Sequence, residues 1–433
     1  MKNLIHDLTK LAENFMTIEM YQSNTLQKNS DLLLILFNKS LKKMHLAKFE
    51  IARKKFEEFI ANKEEIALED YYFSKSNLYM HKFKFGAFYN TGDDINKDVN
   101  SASEYLLTGF LIMSVLIYNN IFFEEVMSNR KNSSNIIAEI LSELDTSGKL
   151  EIYFEDLTKN GNVNSKMLKC YYELYKAISN INNPVHYFSF KKILAESSNV
   201  MNKTSLRDLY NCLINCISFS DSSSGINKTE EYLEAYDQMI KYGIFVIPGE
   251  YLEVNLFVSY VQISCNLGKH EKIKDLINNF IGKLPEDERD NMNIIAMAHL
   301  HFAKSEYRKS LEFIALMKQD VFVFKYSLKN LQMMCYYELN DYESFCFALD
   351  SYRHFVNKNK SVNDLWKSGV TNFFNIMNKL FLLKENFDQY EIDKLIQSIN
   401  ESNVNKKVWL NLKIEELMNL DKHNNNNNKQ KTN

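Results

Sequence analysis

A chain of 433 residues exceeds one ordinary compact core, and with 45% apolar and 25% charged residues it has the balance of a folded globular protein. Its net charge of −3, with 46 Lys against 6 Arg, argues against a nucleic-acid binder, which needs a cationic stripe and favours Arg for reading phosphates and base edges. Only 3 Pro and 11 Gly disfavour a strand-and-turn fold and most glycine-rich phosphate loops, and point to long helices joined by short turns.

The chain opens with an amphipathic helix predicted over 2–22. Asp7, Lys10 and Glu13 break the apolar run that a signal peptide would need. Apolar residues at 3.6-residue spacing predict further helices over 31–63, 71–89, 102–129, 134–144, 165–180, 188–200 and 205–219. The stretch 151–157 reads equally as a short strand or a helical turn. Within the second helix lies a basic run of Lys39, Lys42, Lys43, Lys48, Arg53, Lys54 and Lys55. Glu50, Glu57 and Glu58 interleave with it, which favours a solvated helix face over an RNA contact. Residues 105–123 are uncharged for 19 positions, just long enough to span a bilayer. Asn119 and Asn120 lie inside the stretch, and Glu104 and Glu124, not Lys or Arg, bound it. A helix buried in a protein core is therefore the favoured reading.

Residues 220–229 are short, polar and rich in Ser, and form the best linker or loop between the two halves. After it, three helix–turn–helix units follow one another. The first pairs 251–266 with 271–284, the second 286–304 with 308–318, and the third 321–339 with 343–358. Their turn residues Gly268, Ser305 and Asn340 are 37 and 35 residues apart, close to the 34-residue period of tetratricopeptide (TPR) repeats. In the second unit Ala298 and Ser310 fall at small-residue positions, and His301 and Tyr307 at ring positions. The third keeps Tyr336 and Tyr342 but has Phe345 at a small position, and the first has Ile273 there. Phe49, Ala52 and Phe56 repeat the spacing far upstream. The tail, 421–433, is polar and Asn-rich and is expected to be disordered.

The run "FAKSEYRKSLEFI" followed by "CYYELNDYESFCFALDSYRHFVNKNK", and the later "FFNIMNKLFLL" and "VWLNLKIEEL", resemble a group of large, uncharacterised TPR-like proteins of the Bacteroidetes–Chlorobi lineage. The resemblance covers roughly the last two-fifths of the chain. It implies a bacterial helical-repeat protein and carries no activity with it.

Candidate chemistry is sparse. His299 and His301 stand at i and i+2, so on a helix they face different directions and cannot readily share one metal ion. Cys212 and Cys216 are i, i+4 on one face, with only His186 as a distant further ligand, and read as buried small hydrophobes. Asp93 and Asp94 lack the alternating ligands of a calcium loop. No nucleotide-loop or nucleophile-elbow motif is present. The six dispersed cysteines fit a reducing, cytoplasmic setting.

These readings converge on an all-α protein built as a TPR-like α-α superhelix of antiparallel helix pairs. Residues 1–219 form an irregular helical region, 220–229 a linker or loop, 230–420 the TPR-like region, and 421–433 a disordered tail. The expected function is a non-enzymatic scaffold that binds a protein or peptide on a curved groove. No catalytic, cofactor or metal residue is assigned. The alternatives are an RNA-binding helical repeat, suggested by 230–251, and an all-α enzyme.

Overall fold

The computed structural model describes residues 2–40, 46–61, 66–89, 95–128, 135–159, 165–221, 224–317, 322–358 and 364–431. Every regular element among them is helical, and no strand occurs among the described residues, as the Gly and Pro scarcity requires. The chain divides into two compact units, Met1–Pro248 and Gly249–Asn433.

The first unit contains α1 (Lys2–Ser23), α2 (Thr25–Ser40), α3 (Leu46–Ala61), α4 (Leu68–Tyr89), α5 (Ile95–Ser128), α6 (Ile136–Thr146), α7 (Lys149–Lys159), α8 (Ser165–Ser179), α9 (Pro184–Ser197), α10 (Lys203–Phe219) and α11 (Lys228–Lys241). The helix expected over 31–63 falls across α2 and α3, and 41–45 lie outside the described residues. The open stretch 151–157 is helical, within α7. Gly148, at φ 71°, lets α6 stop and α7 begin at once. The linker stretch falls between α10 and α11 of the first unit and runs into α11, with 222–223 outside the described residues, and the division comes later, at Pro248–Gly249.

Asn side chains start several of these helices. Asn135 accepts from the Ile137 and Ala138 N–H groups, Asn183 from Val185 ahead of Pro184 at the first helical position, and Asn202 from Ser205. Each satisfies a donor that a helix start leaves without an intrahelical partner.

The central pair of the unit is α4 against α5. Gly109 allows the close approach: a Cβ there would lie 3.1 Å from the Phe73 ring. Ser76 Oγ donates to the Ala102 carbonyl at 2.8 Å across the same contact. α5 also packs on α6, α8 and α10. Its Leu111, Ile112 and Val115 are buried, and its Leu106, Leu107 and Ile117 are exposed. By length and composition α5 is the one helix among the described residues that could cross a membrane.

The second unit contains α12 (Val254–Asn266), α13 (His270–Phe280), α14 (Arg289–Ala303), α15 (Tyr307–Ala315), α16 (Phe322–Glu338), α17 (Tyr342–Lys358), α18 (Asp364–Glu385), α19 (Gln389–Glu401) and α20 (Lys407–Lys431). Short 3-10 turns at Ile281–Lys283 and Glu286–Glu288 link α13 to α14. The three expected turns close in the same way. Gly268, Ser305 and Asn340 all adopt left-handed backbone, at φ 65°, 61° and 55°. Behind each, Lys269 N donates to Ser264 O, Glu306 N to His301 O and Asp341 N to Tyr336 O, a six-residue ring that satisfies a carbonyl at the helix end.

The small positions of the second hairpin also meet as expected. Ser310 Oγ donates to the Ala298 carbonyl at 2.8 Å, and both residues are fully buried. Phe345, at the small position of the third hairpin, instead packs on Phe381 of α18, with ring centroids 4.7 Å apart. Tyr307 is half-buried and meets Phe302 of its own hairpin edge-on, so it does not wedge deeply between units.

The first helices of the hairpins touch in succession, α12 on α14 and α14 on α16, and Gln262 Nε2 of α12 donates to Ser327 Oγ of α16 at 2.7 Å. α20 fastens onto α16. Trp409 meets Tyr337 edge-on at 5.4 Å, and its Nε1 donates to Glu338. Lys413 pairs with Glu338 at 2.7 Å, with both side chains largely buried. α20 runs through Asp421 to Lys431, where composition predicts disorder.

Candidate functional site

The residues singled out for metal or catalytic chemistry do not come together. His299 is 4% exposed, whereas His301 lies flat on Phe313 at a 5.1 Å centroid distance, with Nδ1 facing the Glu306 carboxylate. The two imidazoles serve different faces, as their i, i+2 spacing requires. Cys212 and Cys216 are both buried. Burial raises both thiols, Cys216 to about 12, so they stay protonated and behave as small apolar groups. No group of three or more His, Cys, Asp or Glu suited to a metal ion occurs among the described residues. Asp93 and Asp94 lie outside them.

In the basic run, Arg53 is held by carboxylates on its own helix, by Glu50 at 2.7 Å and Glu57 at 2.9 Å, and Lys82 of α4 adds a further pair to Glu57. Arg53 is thus charge-compensated, whereas Lys54 and Lys55 are exposed. The side chains of Lys39, Lys42, Lys43 and Lys48 lie outside the described residues.

The surface that stands out is at the N-terminus. α1 adjoins α2, yet every described side chain along its 22 residues is exposed. Leu8, Leu11, Phe15 and Ile18 are 57%, 69%, 65% and 57% exposed. At 100° per residue these four fall within about 80° of the helix circumference, forming one apolar stripe. Lys10, Glu13 and Thr17 occupy the other side, and Asn14 borders the stripe. α2 also exposes Leu32, Leu34 and Ile35. Scattered exposed apolar side chains are ordinary, but a contiguous stripe on a helix is the signature of a contact surface.

The amphipathic pattern of 2–22 was visible in the sequence. What it did not reveal is that no other part of the described fold covers the apolar side. The buried His299 Nε2 and Ser264 Oγ, both without a hydrogen-bond partner, have no sequence motif and are legible only in three dimensions. The chain matches no protein-family model, no curated protein and no solved structure.

Proposed function

We propose that this protein is a non-enzymatic interaction scaffold that binds a protein partner, with the apolar stripe of α1 as its anchor. The single observation that carries the reading is the exposure of Leu8, Leu11, Phe15 and Ile18 on a helix with no described buried side chain. Full burial of such a side chain contributes roughly 1.5–3 kcal/mol, so covering the exposed part of all four supplies about 4–7 kcal/mol in gross terms. Association costs a comparable or larger amount in lost translational and rotational freedom. The stripe is thus an anchor that fits an apolar groove on the partner, in the helix-in-groove mode, and the partner must contribute further contacts.

The same proposal takes 249–420 as loose TPR-type repeats of the bacterial, cytoplasmic kind that the sequence resembles. Three identical turn closures 37 and 35 residues apart support it. It moves the binding surface from a curved repeat groove to α1, because α16 in the repeat region already engages α20 through Trp409 and Lys413. It also takes α5 as a core helix, supported by its packing on four neighbouring helices.

The test compares the full chain with a Leu11→Asp/Phe15→Asp double variant in quantitative capture from the native cell, followed by measurement of affinity for the captured protein. The expected result is a partner that binds the wild type and loses at least tenfold affinity for the variant, at unchanged helix content. Equal binding by the variant overturns the reading.

A further inference from the structure

α18 and α19 meet at a tight corner in the second unit. α18 ends at Glu385, Asn386 N still donates to the Leu382 carbonyl at 3.0 Å, and α19 begins at Gln389. Asp388, in extended backbone, starts α19: its Oδ1 accepts from the Tyr390 and Glu391 N–H groups at 2.8 and 3.3 Å. The corner holds an open cavity of about 390 Å³. That volume lies within the range of pockets that hold ligands. Its apolar lining comes from buried Leu383, half-buried Phe387 and exposed Leu382. Leu383 belongs to the core around Met377 and Leu380, and Phe387 packs on that core, so these two walls are held in place.

The charged lining is unbalanced. Three carboxylates, those of Glu385, Asp388 and Glu391, share it with one ammonium, that of Lys379. Lys379 stands 3.8 Å from Glu391, and Lys394 pairs with the same carboxylate at 3.0 Å. Both cations are thus engaged by Glu391. Lys384, next to Glu385 in sequence, donates to the Tyr337 carbonyl at 2.6 Å and lies 3.7 Å over the Tyr337 ring, so it serves the contact with α16 instead. Among the described residues, no ion pair or hydrogen bond engages the Glu385 carboxylate, and the helix cap uses only Oδ1 of Asp388. Both of these side chains are exposed.

We infer that this cavity takes one arginine side chain of a partner polypeptide, with the methylene stem on Leu382 and Leu383 and the guanidinium against Phe387, donating to Glu385 and Asp388. Charge complementarity selects a cation, and the apolar lining selects one carried on an alkyl stem. A ring and two carboxylates from different residues suit the planar, five-donor guanidinium better than a compact, strongly hydrated ammonium. The exposure of both carboxylates makes the contact weak and salt-sensitive, one element of a larger interface. The site lies in the second unit and does not depend on the α1 reading.

The test titrates the full chain, with its leucine methyl groups isotope-labelled, with the blocked peptide acetyl-Ala-Arg-Ala-amide at low salt. The citrulline peptide, neutral and of nearly the same shape, and the lysine peptide are run beside it. The Leu382 and Leu383 methyl resonances are the readout. Saturable shifts of both are expected with the arginine peptide, and none with citrulline. Glu385→Gln/Asp388→Asn removes both charges, while Asn keeps the helix cap. It should melt like wild type and bind about fivefold or more weakly. Leu11→Asp/Phe15→Asp should bind the peptide like wild type, so failure of the α1 reading would leave this result standing. The inference is overturned by the absence of a saturable shift, by citrulline or lysine binding as tightly as arginine, or by Glu385→Gln/Asp388→Asn binding within twofold of wild type.

Discussion

Lowering the pH from 7 to 5 should destabilise the second unit through His299. This imidazole sits in α14 at 4% exposure, with no described carboxylate acting on it. Burial first, and the Lys406 charge second, push it down to about 3 from an ordinary value of 6.5. The unfolded chain therefore takes up a proton below about pH 6.5, whereas the folded chain stays neutral there until about pH 3. In that window the unfolded state binds more protons, so stability rises with pH and is lost as pH falls. One pH unit corresponds to about 1.36 kcal/mol, so at pH 5, about 1.5 units below the unfolded value, the loss is about 2 kcal/mol. For a unit of this size that is a drop of about 4–8 °C in melting temperature. The assay is thermal unfolding of wild type and His299→Gln at pH 5, 6, 7 and 8. Gln does not titrate, so the stability difference between the two proteins should shift by about 2 kcal/mol toward the variant between pH 7 and pH 5. A pH-independent difference would refute the reasoning, because His299 would then take up its proton as easily in the folded chain.

The contact of α20 on α16 should also be measurable. Glu338→Ala strips its main partner from Lys413, leaving only half-exposed Glu416, and should destabilise by about 2–3 kcal/mol in denaturant unfolding. Glu338→Leu/Lys413→Met should recover most of that loss, since a buried pair replaced by apolar side chains is often neutral. Tyr307→Ala should reduce stability by only about 1–2 kcal/mol, because the ring is half-buried against Phe302, with hydrogen exchange quickening over 286–340. Ser305→Gly should stabilise by about 0.5–1 kcal/mol in thermal unfolding, whereas Asn340→Gly should be near neutral, since Asn tolerates left-handed backbone.

Periodicity and punctuation made the helices legible, because an apolar face recurring every 3.6 residues has few other solutions. The turns at Gly268, Ser305 and Asn340 were legible for the same reason: each is a small or polar residue ending an apolar run. Other features depended on neighbours far away in sequence. Ser205 was read as the start of a helix, yet its hydroxyl also accepts from the Leu68 N–H, across 137 residues, and Asn202 Nδ2 reaches the Ile66 carbonyl. Composition cannot show that Asn135, Asn183 and Asn202 cap helices. Tyr307 has the spacing of a wedge residue, but spacing fixes only its side of the helix. How deeply it is buried is set by the partner helix.

Local and distant features differ in legibility for a physical reason. An apolar stripe is a property of one helix, so 2–22 displayed it in sequence, and the fold had only to leave it uncovered. The left-handed backbone at Lys406, at φ 57°, belongs to a turn held by contacts with α18, from Asn405 N to the Gly369 carbonyl and from Asn372 Nδ2 to the Asn403 carbonyl, and no local pattern encodes it. Gly adopts that backbone more easily than Lys, so Lys406→Gly should leave the protein no less stable in thermal unfolding, and a loss of stability would show that the lysine side chain itself holds the turn.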